Sequence, residues 1–316
     1  MAKCSILLII VLASIAVSQD EPTFAEAKVK FGVQFVNFAE DAYREQIYNI
    51  NLRSIRDNNA NPNSTYKAGV NPFTFWPQAE FVAKLLRAIP PEGIRLLVST
   101  PTVGWNITTP IDWTTVANVV TPVRDQGQCG ACWAFSAVAA LESFRFQAYG
   151  TINASYSEQQ LVDCSNKYGN QGCNGGWMNS AFNYVKANGI TTKRAYPYTS
   201  RTTNRAGSCK IIGGSFRISG YKDVTKTCDA VAAALSYRPL SVAVDATNWS
   251  PYTSGIFSSC GNAVNHAVLL VGVTNTTWRI KNSWNTWWGE SGYMRLNATA
   301  GNNACAICSY ASYPNK

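Results

Sequence analysis

The chain of 316 residues contains a single histidine, His266. If a histidine acts as a general base in this protein, it can only be this one. Lone histidines are more often structural than catalytic, so the count by itself assigns no function. It does exclude any site that needs a second imidazole.

Long apolar runs and clusters of like charge are also lacking from most of the chain. Beyond the N-terminus, the most apolar run is HAVLLVGV at 266–273, which has the length of a buried strand and not of a membrane span. The formal net charge is +9, but the lysines and arginines are scattered, which argues against nucleic-acid binding. No internal repeat is visible.

The N-terminus carries the one exception, an uncharged apolar run at 5–17 behind Lys3. Ala16 and Ser18 are the small residues expected just before a cleavage site. The pattern predicts a secretory signal peptide over residues 1–18, with an uncleaved anchor as the alternative. The protein is therefore expected to enter the secretory pathway, where disulfides form.

The chain has ten cysteines, and losing Cys4 with the signal peptide leaves an odd number. One thiol should then stay unpaired, as a reactive group, a buried inert thiol or half of an intermolecular disulfide. Cys129 and Cys132 lie three apart in QGQCGACWAF at 126–135. Such a pair can be a redox couple, half of a zinc site, or a structural thiol beside a reactive one.

Hydrophobic residues make up 46% of the chain, and their patterns predict an α+β protein with a boundary near Ile107. Helices are expected over 22–32, 37–58, 77–88 and 132–149, and strands over 241–246, 267–273 and 277–284. A short extended piece is expected at 70–73.

Cys132 begins the predicted helix 132–149, and the free N–H groups at a helix start favour a thiolate there. A hairpin turn near 274–277 would bring Asn282 back beside His266, where its amide could hold one ring nitrogen. An adjacent imidazolium would complete a nucleophilic ion pair. Gln126 and the backbone N–H of Cys132 could stabilise an oxyanion.

Four segments resemble papain-family cysteine proteases, in the order found in that family. QGQCGACWAF is similar to the nucleophile segment, and CNGG (173–176) to the glycine segment that binds substrate. NHAV (265–268) and KNSWNTWWGESGY (281–293) resemble the histidine and asparagine segments. The N-terminal region resembles the family's propeptide helix at Glu40, Arg44, Tyr48, Asn51, Ile55 and Asn59, with Tyr where Phe is usual. Nearly the whole chain is covered by the resemblance, and the cathepsin L-like subgroup is the best fit.

This resemblance implies a papain-like two-lobed fold, with a helical lobe and a β-barrel-like lobe, over residues 107–316. An α-helical inhibitory propeptide would occupy residues 19–106. Cys132 would be the nucleophile, His266 the acid and base, Asn282 the residue that orients the imidazole, and Gln126 the oxyanion donor. Trp284 would shield the His–Asn hydrogen bond from water, although an ordinary core tryptophan would be equally buried.

The resemblance also implies how substrate is held. Gly176 would pair with the substrate backbone. The positions that match the pocket for the second residue before the cleaved bond are Trp177, Met178, Ala243, Val264, Ala267 and Tyr310. Their apolar character predicts a Leu-, Val- or Phe-like side chain in that pocket, with Tyr310 shortening it and providing no charge.

Three disulfides follow from the resemblance: Cys129–Cys173, Cys164–Cys209 and Cys260–Cys305. Cys228 and Cys308 fall outside that usual set. We infer that they form a fourth bridge, because eight paired cysteines leave only Cys132 free. The alternative is two separate buried thiols.

Some positions depart from the family pattern. The propeptide motif at 69–75, GVNPFTF, ends in Phe75 where aspartate is usual, which leaves the acid trigger of activation open. Asn285 and Ala306 replace common glycines, and Asn265 precedes His266 where aspartate also occurs. Glycosylation is expected at some of six sequons, which begin at Asn63, Asn106, Asn153, Asn248, Asn275 and Asn297.

The sequence thus predicts the zymogen of a cysteine endopeptidase of lysosomes, digestive vacuoles or the extracellular space. It would cleave proteins and peptides through an acyl-enzyme on Cys132, and its own propeptide would inhibit it. A monomer is expected, without cofactor, metal, nucleic-acid partner or membrane anchor. Two alternatives remain: a thiol–disulfide oxidoreductase using Cys129 with Cys132, and a catalytically inactive relative that binds other proteins.

Overall fold

The structure is a computed structural model that describes residues 21–90, 106–150, 155–210, 213–261 and 263–316. The predicted signal peptide and the sequon at Asn153 lie outside these residues. None of the helices described has the length and apolarity needed to cross a bilayer.

The helices fall into an N-terminal group and a later group. The first are α1 (Phe24–Phe31), α2 (Phe38–Ala60) and α3 (Gln78–Leu85). The later ones are α4 (Cys132–Tyr149), α5 (Glu158–Cys164), α6 (Met178–Asn188), α7 (Ser200–Thr203) and α8 (Cys228–Leu235). The four predicted helices correspond to α1–α4, although α3 ends at Leu85 and the next residues are extended.

The strands are β1 (Tyr66–Ala68), β2 (Ile111–Asp112), β3 (Gly220–Asp223), β4 (Leu240–Val244), β5 (Tyr252–Phe257), β6 (His266–Val273), β7 (Thr277–Lys281), β8 (Tyr293–Asn297) and β9 (Ala311–Asn315). They form one sheet in the order β1-β5-β8-β7-β6-β4-β9-β3, with β2 beside β6. The β5–β8 pair is parallel and the other pairs are antiparallel. Within the described residues this sheet is open, because β1 and β3 form its two opposite edges. The prediction of a β-barrel-like lobe is therefore corrected to an open sheet.

Three hydrophobic clusters hold the molecule together. One lies around α4 and α6 and includes side chains of β4 and β6. A second packs α8 and several tryptophans against residues of the same strands, and it takes in Phe73, Phe81 and Leu85 from the N-terminal segment, residues 21–90. The third is confined to that segment and is mainly aromatic, with Phe24, Tyr48 and Phe75 buried in it. The N-terminal segment therefore has a core of its own and also contributes to the core of the main body.

The N-terminal segment also joins the sheet, which the sequence analysis missed. β1 pairs with β5 at the sheet edge, with Tyr66 opposite Gly255. The prediction of an extended piece at 70–73 was wrong, since Pro72–Phe75 forms a 3₁₀ turn. Asn71 causes the difference, because its side chain accepts a hydrogen bond from the Phe73 N–H at 2.8 Å and caps the turn.

Helix α4 is the central helix of the main body. Most of its residues are buried, including Cys132 at its first position, and it ends at Gly150 with a left-handed φ of 72°. Its N-cap, Ala131, provides no side-chain hydrogen bond. The first N–H groups of α4 therefore remain directed at whatever lies beside Cys132.

A buried ionic cluster fixes the end of β7 against α4. Lys281 donates to the Thr121 hydroxyl at 3.0 Å, and Thr121 donates to Glu142 of α4 at 2.7 Å. Arg124 pairs with the same carboxylate at 2.6 Å and also with Glu158. Burial lowers the pKa of Lys281 to about 8, although the Glu142 charge opposes the shift. Since Asn282 follows Lys281 directly, this cluster sets the position of that amide.

The structure contains all four disulfides that were predicted: Cys129–Cys173, Cys164–Cys209, Cys228–Cys308 and Cys260–Cys305. Cys132 is the one cysteine in the described part of the chain that is not bridged, and it is buried. The bridge from Cys129 to Cys173 ties the loop before α4 to the loop that carries Gly176.

Asn285 and Ala306 both adopt the left-handed backbone that favours glycine, with φ of 65° and 61°. Asparagine tolerates this left-handed region, whereas alanine is strained there. Among the described sequons, Asn63, Asn106, Asn248 and Asn275 are exposed, and Asn297 is half-buried. Asn275 also accepts a hydrogen bond from the Ile107 N–H.

Candidate active site

Cys132 meets the start of β6, where His266 lies. The backbone N–H groups of Arg87, Ala267 and Trp133 are close enough to the thiol to lower its pKa. One turn further along α4, Ser136 donates to the carbonyl of Val268 at 2.7 Å. These contacts bring the predicted nucleophile against the residues that follow the histidine.

His266 and Asn282 are joined by a hydrogen bond. The β6–β7 hairpin places Lys281 opposite Leu269, and His266 Nε2 then lies 2.8 Å from Asn282 Oδ1. The His266 Nδ1 atom has no hydrogen-bond partner among the described residues. The amide oxygen therefore fixes the N–H on Nε2 and leaves Nδ1 as the ring atom for other chemistry.

Tryptophans enclose this pair. Trp284 lies over the imidazole with ring centroids 4.8 Å apart, and Trp249 approaches it edge-on at 6.1 Å. All three side chains are at most 1% exposed. A low-polarity environment strengthens the His266–Asn282 hydrogen bond.

Gln126 is held by Ser283 and faces the N-terminal segment. Its side-chain oxygen accepts from the Ser283 hydroxyl at 2.8 Å. Its Nε2 donates to Cys129 O at 3.0 Å and to the carbonyl oxygen of Leu85 at 3.2 Å. A carbonyl of the N-terminal segment thus occupies the donor that was predicted to hold the substrate oxyanion.

The extended residues after α3 fill the cleft by backbone pairing. The Gly176 N–H donates to Arg87 O at 3.1 Å, and the Ile89 N–H donates back to Gly176 O at 3.0 Å. Ala88 N–H also donates to the carbonyl of Asn265 at 2.9 Å. A side chain at position 176 would collide with Trp133, with a Cβ only 2.8 Å from its ring. Glycine is therefore required at position 176, where the backbone of Arg87 and Ile89 pairs with this edge.

The six predicted pocket residues separate into two groups. Ala243 lies opposite Ala267 in the β4–β6 register, and Val264 packs against the cluster that holds both and Cys132. The other three, Trp177, Met178 and Tyr310, line a cavity of about 140 Å³. That cavity also has charged and polar residues in its wall, so its lining is less apolar than the sequence analysis expected.

In the covered site, burial opposes ionisation of both Cys132 and His266. Burial raises the pKa of the Cys132 thiol to about 11, against the lowering effect of neighbouring N–H groups. Burial lowers the pKa of His266 to about 4, although the Asn282 hydrogen bond raises it. Burial therefore favours the neutral form of both groups in the zymogen. Different residues provide the burial at the two groups: Ala88 packs in the same cluster as Cys132, and Trp284 lies over the His266 ring.

Sequence reasoning missed several residues of this site. Ser283 stands inside the quoted asparagine segment but was given no role, and Trp249 lies in no motif. The contacts of Leu85, Arg87 and Ala88 in the cleft follow no signal in the sequence. Within the described residues, no cluster of three or more metal-ligating side chains is arranged to hold a metal ion.

Comparisons with known proteins agree with this geometry. Residues 107–315 match the model of the family described as papain family cysteine protease, and residues 24–81 match that of the cathepsin propeptide inhibitor domain (I29). The chain is 39% identical to Cathepsin L 2 of Paramecium tetraurelia over 298 residues, 92% of this chain and 91% of that protein. It is also 39% identical to Digestive cysteine proteinase 2 of Homarus americanus over an alignment of 324 residues with its gaps, which covers 97% of this chain and 98% of that protein.

A solved structure has the same architecture. Digestive procathepsin L 3 from the larval midgut of Tenebrio molitor superposes with a TM-score of 0.80 at 33% identity, covering 93% of this chain and 98% of that one. The chain belongs to the papain family of cysteine proteases. Within that class it is a cathepsin L-like enzyme made as a zymogen with its propeptide, so the resemblance and the papain-like fold are confirmed.

Proposed function

We propose that this zymogen yields an endopeptidase that cleaves peptide bonds through an acyl-enzyme on Cys132. The single observation that supports this most directly is the set of contacts around the cleft. An unbridged cysteine begins a buried helix beside the strand that holds His266, which in turn is bonded to Asn282. Propeptide carbonyl and N–H groups already occupy the positions where a substrate backbone would bind.

The residues divide the chemistry as follows. The Cys132 sulfur attacks the carbonyl carbon of the scissile bond, and the resulting oxyanion accepts hydrogen bonds from Gln126 Nε2 and the Cys132 N–H. His266 passes a proton to the leaving amine, which departs and leaves a thioester. Water then loses a proton to His266 and attacks the thioester carbonyl, which releases the acid and the Cys132 thiolate and so restores the thiolate–imidazolium pair.

Removal of the propeptide activates the site by exposing it. Residues of the propeptide cover the thiol, because Ala88 packs in the same cluster as Cys132, and burial favours the neutral forms of both the thiol and the imidazole. Once water and the open α4 N-terminus stabilise the thiolate, Cys132 and His266 can form an ion pair. Peptide cleavage should then follow a bell-shaped pH profile, with Cys132 on the acid limb and His266 on the alkaline limb.

The remaining expectations complete the proposal. The mature enzyme would begin near Ile107, act as a monomer on protein and peptide substrates, and work in lysosomes, digestive vacuoles or outside the cell. Relatives named as digestive proteinases support a degradative role. The oxidoreductase alternative is disfavoured, because Cys129 is bonded to Cys173 and not to Cys132.

Thiol titration of the mature protein tests the function. We expect one fast-reacting thiol, and its alkylation by iodoacetamide should abolish peptide cleavage. A Cys132→Ala variant, processed by the parent enzyme, should show neither the thiol nor the activity. Full activity after complete alkylation would refute the covalent mechanism, and absence of cleavage by the unmodified protein at every pH would identify an inactive relative.

Acid activation should depend on Glu80. Arg44 binds the Glu80 carboxylate at 2.5 Å and the Phe75 carbonyl at 3.2 Å, so a carboxylate still lies near the position where Phe75 replaces aspartate. Burial opposes ionisation of Glu80, but hydrogen bonds from Arg44 and Lys84 hold its pKa below the usual 4.5. The ionised Glu80 carboxylate therefore contributes fully to propeptide docking above pH 4.5, its usual pKa. This contribution is lost as the pH falls through the lowered pKa of Glu80.

Glu80→Gln should remove that contribution at every pH. Because the pair is partly exposed, we expect a gain of only about fivefold in the rate of self-processing at pH 5–6, with a weaker pH dependence. Glu45→Gln, on the exposed side of α2, is the control and should process like the parent. An unchanged pH profile for Glu80→Gln would assign the acid trigger to other groups.

A further inference from the structure

A cavity of about 350 Å³ lies between the propeptide and the main body. This volume falls within the range of small-molecule sites, roughly 300–1,000 Å³. Ser54 and Asn58 of α2 and Gln78 of α3 line it from the propeptide, and Asn248 and Ser259 line it from the main body. None of the described residues in its wall is charged. Such a wall suits an uncharged ligand that is rich in hydrogen-bonding groups.

The propeptide holds the main chain on both sides of Asn248. The Gln78 side-chain amide donates to the carbonyl oxygen of Thr247. The Asn71 side-chain amide donates to the carbonyl oxygen of Ser250 at 2.7 Å. A group attached to Asn248 therefore lies beside these docking contacts in the zymogen.

Asn248 is the first residue of the sequon Asn248-Trp249-Ser250. It is exposed, and its Nδ2 donates to the carbonyl oxygen of Ser259 at 3.1 Å. A side-chain amide has two N–H hydrogens, so one can be replaced by a sugar while the other keeps this bond. Since Asn248 and Ser259 both line the cavity, the bond holds the attachment atom beside it.

The attachment is a balanced group transfer without oxidation or reduction. Nδ2 of Asn248 forms a bond to C1 of an N-acetylglucosamine and loses one proton, while the bond from C1 to the diphosphate of a lipid-linked oligosaccharide donor breaks. Trp249 is fully buried, so the transfer precedes closure of the fold over the sequon. The folded zymogen must then accommodate the sugar, and the uncharged polar cavity beside Asn248 provides the space.

We infer that Asn248 carries an N-linked glycan whose first sugar occupies this cavity and bridges the propeptide to the main body. The hydroxyl and acetamido groups of the sugar exchange hydrogen bonds with Ser54, Asn58 and Gln78 across the interface. The glycan thereby slows release of the propeptide. This inference goes beyond the proposed function, because it concerns the closed zymogen and not peptide hydrolysis. It depends on the predicted entry of the chain into the secretory pathway.

The test uses the full zymogen secreted from a eukaryotic host. Mass spectrometry of the peptide that contains Asn248 should show the glycan. Asn248→Gln and Ser250→Ala both destroy the sequon through different side chains, and each should raise the alkylation rate of Cys132 in the intact zymogen at pH 7. We expect a rise of about three- to tenfold, the effect of one neutral hydrogen bond.

Two matched variants keep the glycan at Asn248. Ser250→Thr preserves the sequon and should keep the slow alkylation rate. Asn63→Gln removes an exposed propeptide sequon outside the wall of the cavity, and it should also leave the rate unchanged. An endoglycosidase that leaves one N-acetylglucosamine on Asn248 should not alter the rate either, because the first sugar forms the bridge.

Three results would overturn the inference. The first is an unmodified Asn248 in the secreted zymogen, and the second is an alkylation rate that stays the same or falls when the sequon is lost. The third is faster alkylation after trimming to one sugar, which would assign the effect to the outer sugars. Alkylation requires only the thiol and an open cleft, so these outcomes do not depend on whether the mature protein cleaves peptides.

Discussion

Replacing His266 by alanine is expected to lower kcat/KM for peptide hydrolysis by roughly 10³- to 10⁶-fold. The chain has no other histidine, so no neighbouring imidazole can take over the proton transfer. Loss of the ring also removes the cation that would stabilise the Cys132 thiolate. The measurement is kcat/KM of the mature variant, released by the parent enzyme, across pH 4–9.

Asn282→Ala provides the graded comparison. The Asn282 hydrogen bond raises the pKa of His266, so its removal should lower that pKa. The imidazolium would then be lost at lower pH, and the alkaline limb of the profile should move to lower pH with a smaller loss of rate than in His266→Ala.

The prediction for His266 has a clear contrary result. If kcat/KM of the His266→Ala enzyme stayed within tenfold of the parent value, the imidazole would not carry the proton.

The proposed catalytic constellation could be predicted because its signals are local. The start of a helix, a hairpin and the identities of Cys132, His266 and Asn282 are all written in short segments. The disulfides could not be predicted from local signals alone. The odd number of cysteines indicates that one thiol is free, and only the family resemblance indicates that this thiol is Cys132. The structure places each of these groups where those short segments indicated.

What could not be predicted depends on contacts between distant segments. Strand β1 forms because β5 offers a free edge, and nothing in its own three residues indicates a partner. The cover over Cys132 depends on Ala88, which no motif describes, and burial there raises the pKa of the thiol. Likewise, the cavity beside Trp177 and Tyr310 forms only where residues of β3, α6 and β9 meet.

Phe81→Ala should largely release the propeptide from the cleft. Phe81 is 1% exposed and packs edge to face on Trp284 at 5.2 Å, directly above the catalytic pair. Truncating a buried phenylalanine costs about 3–5 kcal/mol, which corresponds to roughly a hundredfold to a few thousandfold in a docking equilibrium. The measurement is the alkylation rate of Cys132 in the intact zymogen, because that rate follows the fraction of molecules with an open cleft.

Phe38→Ala is the matched control, since this phenylalanine of α2 is 88% exposed. It should leave the alkylation rate of the intact zymogen unchanged, whereas Phe81→Ala should raise it until the cleft is fully open. Equal rates for the two variants would mean that Trp284 is not the docking surface and that backbone pairing at Gly176 alone retains the propeptide. Because Trp284 lies over the His266 ring and also packs on Phe81, propeptide docking and enclosure of the proposed catalytic pair depend on the same ring.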